Sequence, residues 1–149
     1  MNDQESAMKV GSLLDRYLLD LDDDGVALDD AWARSLFTED AGVEFPMGGH
    51  QGRAGLADYH RRTLSAWERT QHIHSPAVVE LLEGRAVLRA NLMSVLVHKA
   101  DDSAPPIFVT GTFVSGEARL TPDGWRLSRL SFRLGWTAGR PPAAPGAAD

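Results

Sequence analysis

The sequence predicts an α+β domain, with N-terminal helices packed inside a strongly curved, mostly antiparallel β-sheet. Three observations carry this. Apolar residues near the N-terminus recur at helical spacing. From His72 onward, apolar runs are separated by turn signals roughly every dozen residues. Those runs are long, which suits a sheet that bends into a cone with an open mouth, a shape that holds a small molecule.

Val10, Leu13, Leu14, Tyr17, Leu18 and Leu21 fall on one face of a first helix. Asp22-Asp-Asp-Gly25 ends it, with Gly25 as a left-handed terminator. A second helix is expected from Asp29 to Phe37, with Ala31, Trp32 and Leu36 inward. Ala41 to Phe45 reads as a short strand and Pro46-Met-Gly-Gly49 as a turn. A third helix is expected from Ala54 to Glu68, its apolar members being Leu56, Tyr59, Leu64 and Trp67. Four strands follow: His72 to Leu82, Ala86 to His98, Ile107 to Leu120 and Trp125 to Trp136. Glu83-Gly84, the stretch 100–106 and Thr121-Pro-Asp-Gly124 are the turns. In the last, Pro presets φ and Gly tolerates positive φ. Residues 1–138 thus form a single domain, and the Pro/Ala/Gly-rich tail 139–149 is expected to be disordered.

A length of 149 residues suits one domain with its own core. Hydrophobic residues at 43% and charged residues at 24% are ordinary for a globular protein, so neither disorder nor a membrane bundle is indicated. The formal net charge of -6, with no cluster of Lys or Arg, argues against a nucleic-acid partner. The chain has no cysteine, which excludes disulfides, thiolate zinc sites and thiol nucleophiles. The acidic N-terminus does not read as a secretory signal, and no apolar stretch approaches membrane-spanning length. A cytoplasmic protein with no membrane partner is the expectation.

The chemistry-bearing residues are Tyr17 and Asp22 near the end of the first helix and His72 on a strand. A phenol, a carboxylate and an imidazole make a proton-transfer set that needs no metal and no cofactor. Asp22 sits where the helix dipole disfavours negative charge, among Asp20, Asp23 and Asp24; burial there would raise its pKa toward neutrality. The bland alternative is a solvated acidic loop. Tyr17 is either a core residue or a donor to an enolate oxygen. His72 and His74 share a strand face, as an acid/base with its support, as a metal pair, or as structural histidines. No third clustered ligand accompanies them, so no metal is expected. His50 and His60 read as surface residues.

Expected ligand contacts are His74, Trp67, Asn91, Phe113, Phe132, Arg133 and Trp136. The aromatic ones could wall a flat hydrophobic molecule or be plain core. Arg133 could meet an anionic group or lie in a dimer interface. Alternation puts Asn91 and Met93 on the opposite face from Leu92 and Ser94, and leaves open which face is concave. A rival motif is Asp20-Leu-Asp-Asp-Asp24-Gly25, which matches the first half of a calcium loop. Leu28 and Ala31 stand at its ninth and twelfth positions, where oxygen ligands are required. Neither a phosphate loop nor a serine nucleophile elbow is present.

Several of these pieces occur in a telling order: Leu14-Asp-Arg-Tyr17, Leu36-Phe-Thr-Glu-Asp-Ala41, Thr70-Gln-His72, the Asp123-Gly-Trp125 hairpin and a closing strand ending at Trp136. Over about residues 8–138 the chain resembles the SnoaL-like branch of the nuclear transport factor 2-like fold. That branch includes polyketide cyclases, scytalone dehydratase and bile-acid dehydratase. The resemblance implies a cone-shaped fold in which Tyr17 and Asp22 face His72. The chain departs from scytalone dehydratase in lacking a second histidine further along the sheet. Its loop from Asp22 to Asp30 is also longer and more acidic than is usual in the group.

The expectation is a cofactor-independent acid/base enzyme. Its substrate would be a small hydrophobic carbonyl compound, such as a polyketide-like intermediate. Dehydration, cyclisation or isomerisation through an enol(ate) would follow, with Asp22 or His72 as base and Tyr17 holding the oxygen. The alternative is a non-catalytic small-molecule binder or accessory protein of a biosynthetic pathway. A homodimer through the outer sheet face is expected.

Overall fold

The computed structural model describes residues 2–101 and 104–143. Helix α1 spans Asp3–Asp22. Asn2 caps it, its side chain accepting the Glu5 N–H at 2.8 Å. Asp3 and Glu5 put negative charge where the helix dipole favours it. The expected apolar stripe is the buried face: Val10, Leu13, Leu14, Tyr17 and Leu18 lie in the core, and Leu21 packs against it. The helix ends differently from expectation. Gly25 is not among the residues with positive φ. Asp23 leaves the helix in an extended conformation, and its carboxylate accepts the Gly25 N–H at 2.9 Å. A side-chain turn ends the helix in place of a left-handed glycine.

Helix α2 covers Asp30–Leu36, capped by Asp29 through the Trp32 N–H at 2.8 Å. Ala33 faces inward where Ala31 was expected, beside Trp32 and Leu36. The chain then passes directly into strand β1, Phe37–Phe45, whose second half is the expected strand. Part of the expected turn is strand β2, Gly48–Gln51, paired antiparallel with β1. Its Gly-Gly-His-Gln sequence has no β propensity of its own, so cross-strand pairing makes it a strand. Helix α3, Leu56–Leu64, is shorter than expected and leaves Trp67 outside it.

The expected strand from His72 to Leu82 is two strands, β3 (Arg69–His74) and β4 (Val78–Leu82). Both run antiparallel along the same edge of β5, Arg85–Val97. Pro76, which has no N–H to give the ladder, sits in the break. Ser75 closes that gap: its N–H donates to Asn91 O and its hydroxyl accepts the Asn91 N–H, each at 2.9 Å. Strands β6 (Ile107–Thr121) and β7 (Gly124–Gly139) form the predicted hairpin, with Gly124 at φ 106°.

Among the described residues the sheet has seven strands in the order β2-β1-β7-β6-β5-β3, with β4 also on β5. Only the β1–β7 pairing is parallel. This is the expected α+β, mostly antiparallel architecture. Helix α1 packs against β3, β4, β5 and β7. Burial settles which sheet face is inner: Leu88, Leu92 and Ser94 of β5 and Phe108, Thr112 and Val114 of β6 are buried. No described helix is long and apolar enough to cross a membrane. Of the expected disordered tail, Gly139 ends β7 and the Arg140 N–H donates to Ile107 O at 2.9 Å. Residues 144–149 of that tail lie outside the described residues.

Candidate active site

Strand alternation points Thr70, His72 and His74 to the same side of β3, toward the end of α1. Asp22, the last residue of α1, meets them. Its Oδ1 lies 2.7 Å from His72 Nδ1 and accepts the Thr70 hydroxyl at 2.8 Å, while Oδ2 accepts the His72 backbone N–H at 2.6 Å. Both side chains are largely enclosed. A carboxylate only accepts, so the His72 proton sits on Nδ1 and Nε2 carries the lone pair.

The expected rise in the Asp22 pKa does not occur. Partial burial pushes it up, but hydrogen bonds from the His72 ring, the His72 backbone and Thr70, with the His72 charge, outweigh that and hold the carboxyl below its usual range. Asp22 is therefore an ionised group that orients His72. With its lone pairs taken by three donors, it is a poor proton acceptor.

Tyr17 takes a different partner. It is fully buried, and its hydroxyl lies 2.7 Å from His60 Nε2. His60 Nδ1 lies 2.9 Å from Leu56 O, a bond only Nδ1–H can make. Nε2 is then an acceptor, and the Tyr17 hydroxyl donates its proton to it. That proton is not available to hold a substrate oxygen. The Tyr17 ring stands edge-on to Phe37 at 5.6 Å and stacks on Trp32 at 6.2 Å. Burial pushes the phenol pKa up. It pushes His60 down to about 4, against the raising effect of the Leu56 bond. His60 was expected at the surface and is 2% exposed. One signal could have found it: it follows Leu56 by four residues and precedes Leu64 by four, on one helix face. His50 is half-buried, within 2.8 Å of Ala54 O.

The sequence profile of the SnoaL-like domain matches residues 4–131. The chain belongs to the SnoaL-like family. No curated protein matches the sequence. Solved structures similar to this SnoaL-like domain include a nuclear transport factor 2-like superfamily protein from Salmonella enterica serovar Typhimurium. It has TM-score 0.74 and 16% identity, with 99% of this chain and 100% of that one covered. A protein from Novosphingobium aromaticivorans named as a candidate scytalone dehydratase has TM-score 0.72 and 18% identity, with coverage of 98% and 95%. A hexachlorocyclohexane dehydrochlorinase, LinA Type2, has TM-score 0.73 and 15% identity, with coverage of 96% and 95%. At these identities the likeness establishes the nuclear transport factor 2-like fold.

In this SnoaL-like domain the expected ligand contacts divide between the two sheet faces. Phe132 is inward, buried and stacked on Phe45 at 4.6 Å. Trp67 lies beside inward Phe108, rings parallel within 9° and centroids 6.3 Å apart. His74 is on the His72 side, its Nδ1 2.7 Å from Ser75 O and its Nε2 3.1 Å from Asp15. Asn91, Phe113, Arg133 and Trp136 are on the outer face, which corrects their expected role. Asn91 and Arg133 are exposed, and Arg133 lies over the Phe113 ring at 4.7 Å. Trp136 covers Gly111 so closely that a Cβ there would collide with its indole Nε1. The pattern of alternation was legible, but the covered face was not.

The acidic residues of the calcium-loop motif are turned to different partners. Asp20 Oδ2 accepts the Trp32 indole N–H at 2.9 Å, Asp22 serves His72, and Asp23 serves Gly25. Two surface grooves, of about 260 and 780 Å³, involve Asp40, Arg85, Arg119 and Arg126, among others. Arg85 begins β5, whereas Ser94, opposite His72, lies near its other end. Neither groove takes in Tyr17, Asp22 or His72.

Proposed function

We propose that this SnoaL-like protein is a cofactor-independent acid/base enzyme acting on a small hydrophobic carbonyl compound, such as a polyketide-like intermediate. The observation that carries the reading is the Asp22–His72 pair, which leaves Nε2 as a base. His72 Nε2 takes a proton from the carbon next to the carbonyl, and the C–H electron pair moves into an enolate. The resulting imidazolium lies against ionised Asp22, which stabilises it. Nε2–H then gives its proton to a leaving hydroxyl in a dehydration, to a second carbon in an isomerisation, or to the oxygen formed when an enolate closes a ring. Asp22 has the positioning role, and Tyr17 is structural. Dehydratase and dehydrochlorinase, the names carried by two of the similar structures, denote eliminations, which supports this class of chemistry.

The test is exchange of the C1 and C3 protons of 2-tetralone in D2O, followed by proton NMR. The wild type should accelerate exchange, and His72→Gln should lower that acceleration roughly 100-fold or more. An equal rate in the two proteins would favour the non-catalytic binder.

We further propose that the outer sheet face pairs with a second copy of the chain. Register aligns Ile73 with Met93, Met93 with Gly111 and Gly111 with Trp136 in one row across four strands. Ile73, Met93 and Trp136 are 50%, 38% and 51% exposed, and Phe113 beside them is 48% exposed. Such a contiguous apolar patch favours burial against another surface.

A further inference from the structure

The inner face carries a second polar feature that the acid/base pair does not use. Register sets His72 of β3 opposite Ser94 of β5, Ser94 opposite Thr110 of β6, and Thr110 opposite Thr137 of β7. Thr112 lies two residues further along β6 on the same side, opposite Leu92 and Leu134. It is 9% exposed, and its Oγ1 is buried with no hydrogen-bond partner among the described residues. A buried hydroxyl left unpaired destabilises a fold, and valine would fill nearly the same space without that cost. The fold therefore gains nothing from the Thr112 hydroxyl, which suits a partner from outside the chain.

We propose that Thr112 is a ligand-specificity residue, its Oγ1 hydrogen-bonding an oxygen at the end of the substrate remote from His72. This rests on the reading of the inner face as the substrate site. Strands β3 and β6 are two interstrand spacings apart, about 10 Å between backbones. A ligand that reaches both side chains must span a distance of that order along the inner face. The ligand class is then a flat bicyclic ketone with its reactive C–H at His72 and a hydroxyl or second carbonyl at the far end. Between them Ser94, 7% exposed and directly across from His72, flanks the reacting carbon. Thr112 also supplies the polar anchor that Tyr17, bound to His60, does not.

The experiment compares 6-hydroxy-2-tetralone with 2-tetralone, which differ only in the remote oxygen. Dissociation constants from titration calorimetry should favour the hydroxy ketone about tenfold in the wild type, equivalent to 1.4 kcal/mol. Thr112→Val should abolish that preference and raise Tm by a few degrees. Thr112→Ser should restore the preference. The proposal is overturned if the wild type shows no preference or binds neither ketone. It is equally overturned if the preference survives Thr112→Val, or if that substitution lowers Tm, since the hydroxyl would then already be satisfied. A Thr112-dependent preference without His72-dependent exchange would keep the site and remove the enzyme. His72-dependent exchange without the preference would keep the enzyme and remove this role of Thr112.

Discussion

His72 Nδ1 lies 2.7 Å from Asp22 Oδ1, a contact between residues 50 positions apart that joins the end of α1 to strand β3. It sets the tautomer of the ring and the charge state of the carboxyl together. A carboxylate held below its usual pKa stays ionised at neutral pH and, by accepting the Nδ1–H, puts the lone pair of the neutral ring on Nε2.

Asp22→Asn tests that relationship. Asparagine brings an N–H₂ group to a place where three donors already point. Proton exchange should slow roughly 10- to 100-fold, the usual cost of losing an orienting partner. Stability should fall by about 1.5–3 kcal/mol, the range for hydrogen bonds to a charged group. Urea melts and exchange rates on the same samples separate the two effects. An unchanged rate in the folded variant would remove Asp22 from the mechanism.

Stability should decline on acidification in two stages. His60 titrates near 6.5 when unfolded and is lowered to about 4 in the fold, so between these pH values the unfolded state binds more protons. Stability therefore falls as pH drops from about 6.5 toward 4, by on the order of 3 kcal/mol in all. Tyr17 and Tyr59 pack against this ring, and His50 and His72 add like charge that lowers it further. Asp22 is also depressed, so its contribution is complete above the unfolded carboxyl pKa and is lost as pH falls through the folded one. Urea melts from pH 7.5 to 4 should show the first stage in the wild type and a flatter slope in His60→Gln. Parallel slopes would show that His60 is not its origin.

Tyr17→Phe separates architecture from catalysis. The substitution leaves His60 Nε2 buried without its donor, at about 1–3 kcal/mol. Tm should fall by roughly 2–4 °C per kcal/mol for a chain of this size. Exchange by the folded fraction should stay within about twofold of wild type, far from the loss expected of a general acid or base. A collapse of the rate in a well-folded variant would return Tyr17 to the site.

Trp136→Glu addresses the outer face. A carboxylate in the Ile73–Met93–Trp136 row should turn a dimer into a monomer, measured by light scattering on a sizing column, with Tm little changed by the substitution itself. A wild type that elutes as a monomer at high concentration would refute the dimer.

Much of the fold is legible in the sequence because its signals are local. The α1 stripe, the Asn2 and Asp29 caps and the Gly124 hairpin each lie within a few residues of the structure they specify. Tyr17, Asp22 and His72 were also legible as chemistry-bearing side chains. The tertiary structure decided everything that depends on a partner far along the chain. It gave Tyr17 to His60, 43 residues away, and so took the phenol out of the acid/base set. It reversed the expected shift of Asp22, because the donors that ionise it come from β3 and outweigh the effect of burial. It also sent Asn91, Phe113, Arg133 and Trp136 outward. Alternation along a strand defines two faces, but only the helix laid across one of them decides which is inside.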